Sequence, residues 1–207
     1  MLQKKVVAGL ALGVSVLFSS LPGVAGVIDF ENVPQTYWFN AAGHNLGNYY
    51  EGVTFGTTAV ILENQVYGYN DPSYPPHSGH AVLFGSGDSQ ITAQFNSPQE
   101  SVSLWYTSNY GMVLTAYDSS NNIIAQSFGT PNLGTNSQLT VSVDTERIDR
   151  VIIMGFVSNS FTIDDFSASG ISGNPVPEPS AVMLMGIGGL SLAGFGYARR
   201  RKVQAVV

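Results

Sequence analysis

Seven short stretches between residues 90 and 166 alternate apolar and polar side chains, and this pattern constrains the fold more than any other feature. The stretches are 90–95, 101–106, 112–117, 122–128, 138–143, 150–156 and 160–166. Each is rich in β-branched or aromatic residues and is bounded by Gly, Asn, Ser, Asp or Pro, as strands typically are. Their regular spacing predicts an all-β domain, an antiparallel two-sheet sandwich resembling a jelly roll.

The preceding part of the chain is less regular. It offers strands at 27–30, 52–55 and 58–62, followed by a long, aromatic, Pro-rich loop at 63–80. Long loops in compact domains are often functional or disordered. Taken together, the alternating stretches predict a core containing Phe30, Phe55, Leu83, Phe95, Leu104, Leu114, Val141, Ile152 and Ile163.

The first 25 residues have the pattern of a secretory signal peptide, which we expect to be helical. Lys4 and Lys5 precede an apolar run at 6–18, and the small residues Gly23 and Ala25 frame the expected cleavage site after Ala25. The chain contains no cysteine. The expected exported domain therefore has no disulfide, and its stability must come from packing, with bound ions as an optional further source.

The C-terminal end combines three features in order. A Pro-Glu-Pro motif, Pro177, Glu178 and Pro179, follows Val176. An uncharged apolar run comes next at 181–197, and it is followed by the cations Arg199, Arg200, Arg201 and Lys202. The run is near the lower length limit for a membrane-spanning helix, and such cations stay on the cytoplasmic side. This predicts a β-sandwich at 26–169, a linker at 170–175, a transmembrane helix at 181–197 and a tail at 203–207.

These three features together resemble the PEP-CTERM sorting signal of Gram-negative bacteria. The resemblance implies recognition by a membrane protease of the exosortase type and cleavage between Pro179 and the span. The domain would then be released, or passed to another attachment, at the cell surface or in the biofilm matrix. A permanent single-span anchor in the cytoplasmic membrane is the alternative.

Charge is unevenly distributed along the chain. Of its 14 acidic residues, 13 lie in the predicted sandwich, and only Glu178 lies outside it. The only basic residues in the sandwich are Arg147 and Arg150, out of eight Lys and Arg in the chain. So acidic a domain argues against nucleic acid as a partner. It fits divalent-cation binding or simple solubility outside the cell.

No catalytic constellation is evident, so no catalytic residue is predicted and the chain is expected not to be an enzyme. The nearby histidines His77 and His80 lie in a loop without cysteine, which disfavours a transition-metal site and indicates exposed side chains. There is no Gly-x-Ser-x-Gly turn. Asp164 and Asp165 are adjacent, so on a regular strand they point to opposite faces.

Three short motifs provide a second resemblance. Residues 28–31, 50–56 and 161–166 resemble parts of the galactose-binding-like jelly rolls of carbohydrate-binding modules. The resemblance implies a structural calcium ion joining an acid near the first strand to an aspartate of the last. Glu31 and Asp165 are the first choices, with Asp29 and Asp164 as alternates. The alternative is that these acids merely cap strand ends.

Aromatic residues are the candidates for sugar contacts. Tyr67, Tyr69 and Tyr74 lie in the long loop and are the preferred candidates; Tyr37, Trp38 and Trp105 are others, although tryptophan in a small β-domain commonly belongs to the core. The expected function is structural or adhesive, in contact with exopolysaccharide. A specific carbohydrate-binding module and a polysaccharide-acting enzyme are the alternatives.

Overall fold

The computed structural model describes residues 26–39, 45–63, 72–144 and 147–173, and nearly all of their regular secondary structure is β. The strands are β1 (Gly26–Ile28), β2 (Val53–Phe55), β3 (Ala59–Glu63), β4 (Ala81–Gly85), β5 (Gln90–Gln99), β6 (Ser101–Ser108), β7 (Met112–Tyr117), β8 (Ile123–Gly129), β9 (Ser137–Ser142), β10 (Ile148–Gly155) and β11 (Phe161–Ala168). Among these residues the only helix is a single 3₁₀ turn at Gln35–Tyr37.

The strands form two antiparallel sheets packed as a sandwich, which confirms the predicted fold class. One sheet has the order β3-β4-β11-β6-β9, with β1 also paired to β11. The other has the order β2-β5-β10-β7-β8. Inward-facing side chains of both sheets make one continuous apolar core.

Eight of the nine predicted core residues are buried, and Ile152 is the exception. Val151 and Ile153 are fully buried, whereas Ile152 is half-buried on the outer face of β10. The sequence therefore assigned Ile152 to the wrong face of β10, and the core residues of this stretch are its neighbours Val151 and Ile153. Three consecutive apolar residues, at 151–153, fit either face, so alternation did not determine the register here.

Strand β4 is the one strand of the described residues that the sequence did not predict as a strand, although its residue Leu83 was expected in the core. Its sequence, Ala-Val-Leu-Phe-Gly, is apolar throughout, and four of its five residues are buried. A strand covered on both faces loses the alternation by which a half-exposed strand is recognised. The burial of β4 on both faces shows that another part of the chain packs on the outer face of β4 and its neighbours.

Strands β1 and β4 lie end to end along one edge of β11. Ile28 pairs with Phe166, and Leu83 pairs with Ile163. Between these two pairings the β6–β11 register shifts at Asp164–Ser167, and Asp165 has φ of +44°. A non-glycine residue in the left-handed region is strained and is typical of a β-bulge or a functional site. The bulge therefore lies where β1 ends and β4 begins.

The end of the described chain packs back onto its beginning. Ile171 is buried, and its carbonyl oxygen accepts a hydrogen bond from the Gly26 amide at 2.8 Å. Residues 170–173, assigned to the linker from the sequence, are thus part of the packed domain. The predicted signal peptide, sorting motif, span and basic flank lie outside the described residues. Within the described residues, no helix is long and apolar enough to cross a membrane.

A candidate ligand site where the first and last strands meet

Residues 72–80 run across the outer face of the six-stranded sheet. Thr107 Oγ1 and Asn136 Nδ2 hold this segment at Pro75, whose carbonyl oxygen lies 3.4 and 3.1 Å from them. Farther along, the His77 ring stacks on Trp105, with ring centroids 3.7 Å apart and planes 9° apart. This segment therefore covers the outer faces of β4 and β11, which explains why residues on those faces are buried.

Two adjacent aspartates of β11 fasten the segment at His77 and Ser78. Asp164 Oδ2 accepts both backbone N–H groups at 2.8 Å. Asp165 Oδ2 lies 2.5 Å from His77 Nδ1, and Asp165 Oδ1 accepts the Ser78 hydroxyl at 2.8 Å. The bulge at Asp165 aims both carboxylates at one segment, although adjacent residues of a regular strand point to opposite faces.

Glu31, just after β1, fastens the other end of the segment. Its Oε1 accepts the backbone N–H groups of His80 and Ala81 at 2.8 and 2.7 Å, and its Oε2 lies 3.1 Å from His80 Nδ1. Gly79 makes this approach possible, because a Cβ there would lie 2.3 Å from Glu31 Oε1 and its φ is +53°. We call the set Glu31, 77–81, Asp164 and Asp165 the junction.

Asp164 is the most perturbed acid of the junction. Its side chain is almost completely buried, and this desolvation raises the pKa of its carboxyl to about 7. The neighbouring charge of Asp165 also raises the pKa, while N–H donors of Ser78, Asp165 and His77 oppose the shift. Folding therefore places a carboxylate where water cannot solvate it.

A cavity of about 320 Å³ opens beside the junction. The residues that line it include Trp38, the two acids Glu31 and Glu63, and His80. His80 lies between the two acids, with Nε2 3.4 Å from Glu63 Oε1. Trp38 is fixed because its indole N–H donates to the Val33 carbonyl oxygen at 3.0 Å. The cavity thus combines an aromatic wall with charged hydrogen-bonding groups.

Three of the four proposed calcium ligands, Glu31, Asp164 and Asp165, belong to the junction, and all four are engaged by protein donors. Glu31 and Asp165 bind opposite ends of the same five-residue segment, and Asp29 Oδ1 accepts the Glu31 N–H at 3.1 Å. Among the described residues, no group of three or more His, Asp and Glu side chains is placed to hold a metal ion. The calcium site stays a prediction, which melting curves with added calcium or chelator would test.

The aromatic candidates are dispersed rather than gathered. Tyr74 is half-buried, and its pKa is raised by this burial and by Tyr110 nearby. Trp105 is covered by His77, whereas Trp38 lines the cavity. Tyr67 and Tyr69 lie outside the described residues. Of the aromatic residues singled out from the sequence, Trp38 has the surroundings of a binding site.

His77 and His80 are exposed, as the sequence predicted, but both also take part in the junction. Both ring systems contact carboxylates, and both backbone amides are bonded to acids. The signal in the sequence was the spacing His77-Ser-Gly-His80, whose glycine admits the Glu31 carboxylate.

The junction has the residue types of a catalytic triad without the corresponding arrangement. Ser78 Oγ and His77 Nδ1 bind the two different oxygens of Asp165. Nucleophilic catalysis needs the hydroxyl bonded to the imidazole, with the acid behind it. Here both groups are instead used to hold the segment in place.

Comparison with protein families identifies the end of the chain rather than the sandwich. Residues 175–202 match the model of the PEP-CTERM protein-sorting motif. The match covers the Pro-Glu-Pro motif, the apolar run and the four cations, and it confirms the resemblance seen in the sequence. The motif indicates an exported protein that is processed at the membrane. A search of curated proteins found no match.

Among solved structures, the fold is similar to carbohydrate-binding modules of families 29 and 61. A point mutant of the family 29 module CBM29-2 has 13% identity and a TM-score of 0.35, over 59% of this chain and 99% of that one. TmCBM61 in complex with β-1,4-galactotriose has 14% identity and a TM-score of 0.38, over 64% and 97%. These values are too low to transfer a ligand or a residue's role to this chain.

Proposed function

We propose that this chain is an exported, non-enzymatic surface protein whose sandwich domain has an adhesive or structural role in contact with exopolysaccharide. The observation that carries the proposal is the cavity beside the junction, whose lining combines Trp38 with Glu31, Glu63 and His80. A specific carbohydrate-binding module is the closest alternative, and the two differ in how selective the cavity is.

The chemistry of the cavity suits a sugar. A sugar ring has apolar C–H faces that pack on an indole and a rim of hydroxyl groups that donate to carboxylates. Glu63 contacts His80 at 3.4 Å and retains capacity to accept further hydrogen bonds. The volume of about 320 Å³ lies at the lower end for small-molecule sites, which favours a terminal sugar or a short branch.

A binding role is favoured over catalysis because the junction acids already have structural partners. Asp164 and Asp165 hold residues 77 and 78, and Glu31 holds residues 80 and 81. A glycosidase requires two opposed carboxyl groups, one of them free to transfer a proton to the scissile bond. Acids that hold the backbone in place lack that freedom.

Substitutions in the cavity should weaken sugar binding without unfolding the domain. A glycan array on the full chain, purified in detergent, would identify a ligand, and calorimetry would then measure its affinity. We expect Glu63→Gln to lower the affinity about tenfold or more, because a hydrogen bond to a charged acceptor contributes roughly 1.5–3 kcal/mol. Trp38→Ala should have an effect of similar size, and Trp38→Phe a smaller one.

Glu100→Gln is the matched control for this experiment. Glu100 is exposed in the β5–β6 turn and is paired with Arg147, away from the cavity. Equal losses in Glu63→Gln and Glu100→Gln would show that the cavity is not the site. If no glycan on the array retains the wild-type protein, the domain would have a structural role without sugar recognition.

The sorting motif supports the proposed route to the surface. After signal-peptide removal in a Gram-negative host, residues 181–197 would span the cytoplasmic membrane with the Arg199–Lys202 cluster inside. An exosortase-type protease would then cut between Pro179 and the span. Intact masses of the surface protein from cells with and without an exosortase should differ by the lost tail. If the mature protein ended at Val207 in both kinds of cell, the tail would not be removed and residues 181–197 would be a permanent anchor.

A further inference from the structure

The outer face of the five-stranded sheet carries an ordered array of apolar and hydrogen-bonding side chains. The strand register aligns three rows across it: Phe128, Val113, Met154 and Gln90; Gln126, Thr115, Ile152 and Thr92; and Tyr117, Arg150, Gln94 and Thr54. Five strands at about 4.8 Å spacing give the face a width of about 19 Å. No acidic residue belongs to these rows, and one carboxylate, that of Asp149, reaches the third row at Gln94.

Arg150 differs from the other side chains of these rows because it is charged. Its guanidinium carbon lies 4.4 Å from the centroid of the Tyr117 ring, yet its Nε is buried without any hydrogen-bond acceptor. No carboxylate of the described residues lies within ion-pair distance of it. Asp149, one residue earlier, is instead held by the Gln94 amide, with Asp149 Oδ2 and Gln94 Nε2 2.7 Å apart.

An unpaired and partly buried cation is unexpected in so acidic a domain. Arg147, the other arginine of the sandwich, has the usual arrangement, because it is exposed and paired with Glu100. Partly buried charges are normally paired, since desolvation is otherwise uncompensated. A planar guanidinium held on an aromatic ring is also the group best suited to grip a carboxylate with two parallel hydrogen bonds.

We propose that this face binds an extended acidic polysaccharide, with Arg150 pairing with the carboxylate of a uronic acid residue. Tyr117 orients the guanidinium, and the apolar side chains of Ile152 in the next row and Met154 in the row after it are available for the C–H faces of neighbouring sugars. Gln126 and Thr92 offer hydrogen-bonding groups for their hydroxyls. This surface is separate from the cavity at Trp38, and the proposal does not depend on sugar binding there.

The test compares hexagalacturonate with its methyl ester, which has the same backbone without the charges. The full chain in detergent should bind the acid form, and the ester at least tenfold more weakly. Raising the salt concentration should weaken binding of the acid form, because exposed charge pairs are screened. Equal affinities for acid and ester would overturn the proposal, as would the absence of any binding to the acid form at millimolar concentration.

Variants distinguish a specific contact of Arg150 with the ligand from a general effect of positive charge on the domain. Arg150→Gln should lower affinity for hexagalacturonate at least tenfold, and Arg150→Lys should restore only part of it because lysine lacks the planar fork. Arg147→Gln removes the same charge from a paired, exposed position and should leave the affinity within twofold of the wild type. An equal loss in Arg147→Gln and Arg150→Gln would refute the assignment.

A second measurement keeps the test independent of folding. Arg150→Gln loses the contact with the Tyr117 ring but no carboxylate partner, so its melting temperature without ligand should stay close to that of the wild type. Hexagalacturonate should raise the melting temperature of the wild type but not of Arg150→Gln. If Arg150→Gln does not fold, Tyr117→Leu serves in its place and should weaken acid binding. Unchanged acid binding in Tyr117→Leu would contradict the proposal.

Discussion

Replacing Ile153 with aspartate is expected to unfold the sandwich, whereas the same replacement one residue earlier, at Ile152, is expected to leave it folded. Ile153 is completely buried and pairs across the sheet with Ile91 and Leu114, which are also buried. Losing a large buried aliphatic side chain costs about 2–5 kcal/mol, and burying an unpaired charge costs several more. The sum approaches the whole stability of a domain, about 5–15 kcal/mol.

Ile152 differs because its side chain points outward. It is half-buried on the outer face of β10 and lies beside Thr92 and Thr115. An aspartate there keeps contact with water, so we expect a loss of only about 1–2 kcal/mol. Circular dichroism and urea titration of the two variants check this. If Ile152→Asp were unfolded while Ile153→Asp stayed native, the register of β10 would be reversed.

This pair of residues shows how far alternation goes in predicting the sandwich. Where polar residues separate apolar ones, as around Leu104, the face was predicted correctly. Where apolar residues are consecutive, as at 151–153, the sequence fits both faces. Beyond Arg150, the outer face of β10 carries Ile152 and Met154, so this part of it lacks the polar residues that mark an exposed face elsewhere.

The candidate site was predictable in part, for a different reason. Acids near the first strand and in the last strand were expected to lie close together, and Glu31 and Asp165 do meet at one segment. The segment that joins them was not foreseen, because its hydrogen bonds span 49 to 88 residues along the chain. Such contacts depend on the β11 bulge and on Gly79, neither of which leaves a periodic signal in the sequence.

Asp164 is expected to make the domain less stable as the pH rises from about 4 to about 7. Burial raises the pKa of its carboxyl from 3.8 to about 7 in the folded protein, so the folded state retains a proton that the unfolded state has released. Stability from this group is therefore complete below about pH 4 and is lost as the pH rises through the folded-state pKa. A shift of this size corresponds to about 4 kcal/mol.

The unfolding free energy of the wild type and of Asp164→Asn, measured by urea titration between pH 4 and pH 8, isolates this contribution. Asparagine cannot ionise, so the variant should lack the decline, and the difference between the two proteins should shrink as the pH rises. Asp88→Asn, in the β4–β5 turn and outside the junction, is the control and should keep the decline of the wild type. Parallel pH curves for the wild type and Asp164→Asn would show that Asp164 ionises in the folded protein as it does in the unfolded chain.

The same carboxylate links stability to the cavity, because the segment that it holds continues into His80 and Ala81 of the cavity wall. Asp164→Ala removes the acceptor of the part-buried backbone N–H groups of His77 and Ser78. A fully buried donor left unsatisfied costs about 1–3 kcal/mol, which is the upper limit for each of these two groups. We therefore expect this variant to lose several kcal/mol of stability and to exchange the amide protons of residues 77–81 faster than the wild type. Hydrogen exchange measured peptide by peptide separates the two effects. Faster exchange confined to this segment identifies Asp164 as the group that holds it, whereas uniformly faster exchange across β5, β7 and β10 would mean that Asp164 stabilises the sandwich as a whole.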